Sequence, residues 1–152
     1  MRFIFEHVGL AVSDMEKSIR FYCDVLGLKL KSQTRVAGGP GTATGTITGL
    51  RDACIKVAEI ELGENCFLEL HQWLFPEGKK TLGTQRCDVG TPHLSFIVDD
   101  VKKAYNELVA KGVRFVNAPV RPSTATTGIV AASYFLDPDG NTLAMYELEK
   151  RE

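Results

Sequence analysis

Two histidines open two similar stretches of this chain. His7 begins HVGLAVSDMEKSIRFYCDVLGLKL, and His93 begins HLSFIVDDVKKAYNELVAKGVRFV. In each, an apolar run ends at Val12 or Val98, Ser13-Asp14 or Asp99-Asp100 follows, and an amphipathic helical pattern stops at Gly27 or Gly112. The chain is an internal repeat, and imidazoles at repeat-equivalent positions carry a specific chemistry. If two copies pack about a pseudo-twofold axis, both rings face one cavity, where they can hold a metal that neither half holds alone. Glu69, in the apolar run CFLEL, is costly to bury unless it is paired or coordinating. His71 lies two residues further on, so strand alternation puts it on the same face as Glu69. Its ordinary pKa, about 6.5, suits proton transfer at neutral pH. Each residue also has a plainer role: a lone His at a strand start as a packed core or edge residue, Glu69 as a salt-bridged carboxylate, His71 as a ring beside Trp73.

Elements that position these residues follow from periodicity. Residues 3–12 read as a strand. Ser13 and Glu16 make a capping box for a helix whose Met15, Ile19, Tyr22 and Leu26 share a face, and Gly27 supplies its left-handed stop. Strands are expected near 28–36, 53–61 and 65–73, the last two joined by a Gly63-Glu64-Asn65 turn. This is βαβββ. The second half repeats it, with a strand at 92–98 and a helix from Asp99 or Asp100 to Lys111. Strands near 113–117, 129–136 and 142–148 follow, the last hairpin turning at Asp137-Pro138-Asp139-Gly140-Asn141. The reading is one α+β domain, 1–152, of two repeated modules spanning about 1–75 and 90–150.

Composition narrows the partner. With 152 residues and 44% hydrophobic content, the chain buries one sizeable core or two small modules sharing a surface. Eighteen scattered basic residues against nineteen acidic ones leave no footprint for nucleic acid or a membrane surface, which makes a small molecule the expected partner. Cys23, Cys54, Cys66 and Cys87 form no CxxC pair and read as reduced structural residues. The opening MRFIFEH has Glu6 and His7 where a signal peptide needs an apolar run, so a cytoplasmic location is expected. Two Gly- and Thr-rich segments, 38–49 and 122–128, lack the GK[ST] ending and following helix of a phosphate loop and read as mobile loops flanking a cavity. Arg35, Arg51 and Arg121 lie in or beside them. Arg35 and Arg121, with Tyr146, are the candidate substrate-binding residues, and ordinary solvated arginines are the alternative.

These residues resemble the vicinal oxygen chelate superfamily, which includes glyoxalase I, methylmalonyl-CoA epimerase, extradiol dioxygenases and bleomycin-resistance proteins. The resemblance runs through HVGLAVSDMEKSIRFYCDVLGLKL, FLEL at 67–70, PHLSFIVDDV at 92–101 and YFLDPDGNTL at 134–143. It implies two βαβββ modules forming a curled, half-barrel mixed sheet with helices on the outer face and one divalent metal on the inner face. Ligands on the first and fourth strands of each module would then fall on His7, Glu69 and His93. Imidazole and carboxylate donors suit Zn, Ni, Co, Mn or Fe. The fourth ligand departs from the pattern: the glutamate expected four residues after Gly140 is Ala144. Glu147 takes its place only if a bulge shifts the strand phase, since parity groups it with Leu143 and Met145 on the helix side and leaves Thr142, Ala144 and Tyr146 on the other. His71 is the other substitute.

The resemblance implies a metal-dependent isomerase, epimerase or lyase acting on a small oxygenated substrate through a metal-stabilised enediolate, with His71 and Glu69 as catalytic groups. A metal-free, drug-sequestering binding protein is the non-enzymatic alternative, and an Fe(II) ring-cleaving dioxygenase the third. A homodimer is expected, with the metal site completed within one chain or across the pair.

Overall fold

Each half of the chain builds an open mixed sheet with its first strand at one edge and its helix on one face. The computed structural model describes residues 1–79, 85–122 and 128–149. It divides into two compact units, Met1–Lys80 and Thr81–Glu152. No helix among the described residues is long and apolar enough to cross a membrane.

In the first unit, β1 (His7–Ala11) leads into α1 (Met15–Ile19), followed by β2 (Lys29–Gln33), β3 (Ala37–Gly38), α2 (Ala43–Thr48), β4 (Cys54–Gly63) and β5 (Cys66–Phe75). The sheet order is β1-β5-β4-β2, with β3 also on β4. β1 runs parallel to β5 and pairs Gly9 with Glu69 and Ala11 with His71. β4 and β5 form an antiparallel hairpin whose Asn65 takes a positive φ of 52°. Leu68, Leu70, Ala58 and Ile60 are buried on the face that packs against α1, and Met15 and Tyr22 are buried with them.

Three local expectations change here. The cap of α1 is Asp14 rather than Ser13: its Oδ1 accepts from the Lys17 amide at 3.0 Å, and Glu16 instead accepts from Gln33 Nε2. The helix does not keep its period, because Arg20–Val25 form a π-helical turn in which the Leu26 amide donates to the Phe21 carbonyl. The adjacent Phe21 and Tyr22 on this turn are both buried, edge to face. The segment 38–49 is not a plain loop. It carries β3 and α2, the latter ended by Gly49 in the left-handed conformation. Gly38 is required there: a Cβ would stand 2.2 Å from the Ala53 carbonyl oxygen.

The second unit contains β6 (His93–Ile97), α3 (Val101–Ala110), β7 (Arg114–Phe115), β8 (Ile129–Leu136) and β9 (Thr142–Leu148), in sheet order β6-β9-β8-β7. Segment 122–128 lies mostly outside the described residues. The β8–β9 turn is held by the buried Asp137, whose carboxylate accepts from the Asp139 and Asn141 amides and from Asn141 Nδ2 at 2.8–2.9 Å. Gly140 takes the left-handed φ that closes this turn. Phe135, Leu143 and Met145 are buried on the helix side.

The two helices start on the same device. Met15, the first residue of α1, donates its amide to Gln72 Oε1 on β5 at 3.1 Å. Val101, the first residue of α3, donates to Glu147 Oε2 on β9 at 3.0 Å. Gln72 and Glu147 occupy equivalent strand positions, so in both units a side chain of the last strand satisfies a helix amide that has no partner within the helix.

Candidate functional site

The sheet face opposite the helix of the first unit gathers the chemistry. Register places His7, Gly9, Ala11, Phe67, Glu69 and His71 on this face, with Glu59 beside Glu69 on β4. His7 Nε2 lies 3.4 Å from Glu69 Oε2, and His71 Nε2 lies 2.5 Å from that same oxygen. His7 Nδ1 is hydrogen-bonded to the Glu6 carboxylate, which raises the His7 pKa above its ordinary value even though partial desolvation opposes it. A proton held on Nδ1 leaves the Nε2 lone pair facing Glu69. His71 also stands edge-on to Trp73, the packing expected as its plainer role, while its Nε2 contacts Glu69. Lys31 Nζ sits 3.4 Å from Glu59 and over the Phe67 ring, offsetting the charge of the two neighbouring carboxylates.

Two donors about 2.1 Å from one ion are separated by about 3.0 Å at a right angle and about 3.4 Å at the tetrahedral angle. The His7 Nε2–Glu69 Oε2 separation falls within that span, so these two side chains fit a shared divalent ion. The shorter His71 contact is a hydrogen bond rather than a ligand pair. Among the described residues, no three or more His, Cys, Asp or Glu are gathered as a ready-made metal cage.

Corresponding positions in the second unit carry different groups. His93 pairs with Thr142, Ser95 with Ala144 and Ile97 with Tyr146, so His93 matches His7, Ala144 matches Glu69 and Tyr146 matches His71. Tyr134 occupies the place of Glu59, beside Ala144 on β8. The Tyr134 and Tyr146 hydroxyls lie 3.0 Å apart, and the His93 ring centroid is 5.5 Å from that of Tyr134. Hydrogen bonding to Tyr134, with burial as a second cause, pushes the Tyr146 pKa up to about 12. The first unit therefore presents His, Glu, His and Glu where the second presents His, Ala, Tyr and Tyr. Tyr134 was not singled out from sequence; the alternation of β8 against β9 was the signal that could have found it.

Glu147 lies on the helix side, where its carboxylate caps α3. β9 pairs one-for-one with β8 from Thr142 to Glu147, and the irregularity lies on β8 between Ile129 and Ala131. No bulge turns Glu147 to the other face. Arg35 and Arg121 are exposed in irregular segments. A different arginine, Arg86, borders an open hollow of about 290 Å³ in the second unit, together with His93, Tyr134 and Thr142.

The Glyoxalase/Bleomycin resistance protein/Dioxygenase superfamily profile matches residues 4–145. The chain belongs to this superfamily. Among curated relatives, it is 31% identical to a 2-epi-5-epi-valiolone epimerase of Actinomyces sp., over 93% of this chain and 78% of the relative. It is 26% identical to a probable lactoylglutathione lyase of Synechocystis sp., over 96% of both chains. A glyoxalase family protein from Bacillus cereus superposes with a TM-score of 0.82 at 19% identity, covering 99% of this chain and 97% of the other, which establishes the shared fold. The chain has a histidine on the first strand of both modules, and the register position that holds Glu69 in the first module holds Ala144 in the second.

Proposed function

We propose that this superfamily member is a metal-dependent isomerase, epimerase or lyase acting on a small oxygenated substrate. His7 and Glu69 are the proposed ligands from the first module, and His93, at the matching position of the second, is proposed as a further ligand. The carrying observation is the approach of His7 Nε2 and His71 Nε2 to one oxygen of Glu69 on an open sheet face. A bound divalent ion would supply Lewis-acid stabilisation for the charge that develops when a proton α to a carbonyl is removed.

The chain's own groups supply the rest. Glu6 holds the His7 ring in the tautomer that presents Nε2. His71, whose Nε2 is hydrogen-bonded to Glu69 at 2.5 Å, is the proposed proton-transfer group beside the metal ligands. The names of the epimerase and lyase relatives support this class of chemistry.

A metal-free binding protein is the second reading, favoured by Ala144 standing where Glu69 stands in the other module. The same alanine counts against a ring-cleaving dioxygenase, which needs a carboxylate there to complete its facial triad. Metal content after purification without chelators, followed by solvent-deuterium exchange at the α-carbon of 2-hydroxy acids, 2-oxo acids and acyl thioesters, tests the proposal. About one metal per chain with exchange into at least one class is expected. A metal-free protein that catalyses no exchange overturns it.

A further inference from the structure

We infer that the hollow beside His93 binds the anionic group of a small ligand, with Arg86 as its counter-charge. This rests on the reading of the chain as an enzyme for a small oxygenated substrate, and it narrows that substrate to a carboxylate or similarly charged oxyanion.

The hollow's composition carries the inference. Arg86, His93, Thr91, Tyr134 and Thr142 line the hollow, and among the described residues no acidic residue does. Pro92 and Val116 complete the wall and give an apolar surface for a short carbon chain. A concave surface lined by one permanent cation and several hydroxyl-bearing residues offers donors suited to an oxyanion. At about 290 Å³ it holds roughly ten water volumes, which suits a ligand of a few carbon atoms.

Arg86 is held there by a folded turn. The Gln85 amide donates to Asp88 Oδ2 at 2.6 Å, the Asp88 amide donates to the Gln85 carbonyl and the Thr91 amide to the Asp88 carbonyl. These bonds occupy Asp88, the acidic residue nearest in sequence, on the backbone. Among the described residues, Arg86 makes no ion pair, so its two-pronged donor set is available to a carboxylate. The Tyr134 hydroxyl is polarised by Tyr146, and Thr142 follows the Asp137 turn that ends the same hairpin.

Malonate is the probe, with malonamide as an uncharged control of the same shape, titrated into metal-free protein and followed by amide and imidazole NMR shifts. Because no metal is present, the outcome does not depend on whether His7, Glu69 or His93 binds one. Malonate is expected to saturate the shifts at His93, Thr91 and Thr142 while malonamide leaves them unmoved. Arg86→Gln should weaken malonate about tenfold or more, as loss of a charge-assisted pair does, while Arg86→Lys should retain part of the affinity. Arg86 is exposed, so both variants are expected to fold, checked by unchanged thermal melts. Equal binding of malonate and malonamide, or unchanged malonate affinity in Arg86→Gln, overturns the inference.

Discussion

At the scale of single residues, the two units use matching sheet positions for different chemistry. His7→Ala and His93→Ala are each expected to weaken divalent metal binding by more than about 100-fold, since even an outer partner of a ligand is worth about 10–100-fold. His7 and His93 are exposed strand residues, so both variants should melt with the parent. Calorimetric titration with Zn and with Ni, alongside thermal melts, checks both statements; full metal occupancy in either variant removes that histidine from the ligand set. Glu6→Gln should lower the raised His7 pKa, read by imidazole NMR in metal-free protein, because the carboxylate hydrogen bond is the main cause of the shift. In the second unit, Tyr146 should ionise near pH 12. The ordinary phenol value is about 10, so the unfolded chain ionises first. The contribution to stability is therefore whole below pH 10 and is lost as pH rises through about 12. Tyr134→Phe should bring the tyrosinate absorbance transition of Tyr146 down toward the ordinary value, leaving the part of the shift that burial causes.

At the scale of elements, Glu147 belongs to α3. Its carboxylate meets the first helix amide, and the Asp100 side chain accepts from the Lys103 amide at 2.8 Å. Losing such a partner costs about 1 kcal/mol, or about 2–4 °C for a chain of this size. Glu147→Ala should lower the melting temperature by that amount and leave metal affinity unchanged; a loss of metal binding would return Glu147 to the ligand set. Strand parity anticipated this placement from sequence, because Leu143, Met145 and Glu147 alternate with Thr142, Ala144 and Tyr146 along one regular strand. Strands β8 and β9 were legible to their end residues for the same reason: alternation runs unbroken between strong turn formers. The π turn after α1 and the helix α2 were not legible. The first rests on an i→i+5 backbone hydrogen bond that no residue spacing marks, and the second is built from Gly and Thr, which carry no apolar period.

At the scale of the whole molecule, edges invite assembly. β1 pairs only with β5 and β6 only with β9 among the described strands. Phe3, Ile4 and Phe5, just before β1, are exposed, as is Ile97 on β6. Open strand edges flanked by large apolar side chains favour pairing with another chain, and we expect a homodimer. Light scattering at micromolar concentration checks this, and a strictly monomeric chain would count against it.

The repeat, the α+β class, the paired first-strand histidines and the absence of a carboxylate at position 144 could all be read from the chain, because each depends on residue identity and spacing within a few turns or strands. Only the tertiary structure decided what those positions face. Strand pairing between residues about sixty apart put His7 against Glu69, and the β8–β9 register put Tyr134 where Glu59 stands in the other unit. A turn closed by Asp88 placed Arg86 over a hollow, rather than the arginines singled out from the loops. A side chain's neighbours across a sheet depend on register, which local sequence restricts to a face but does not assign to a partner.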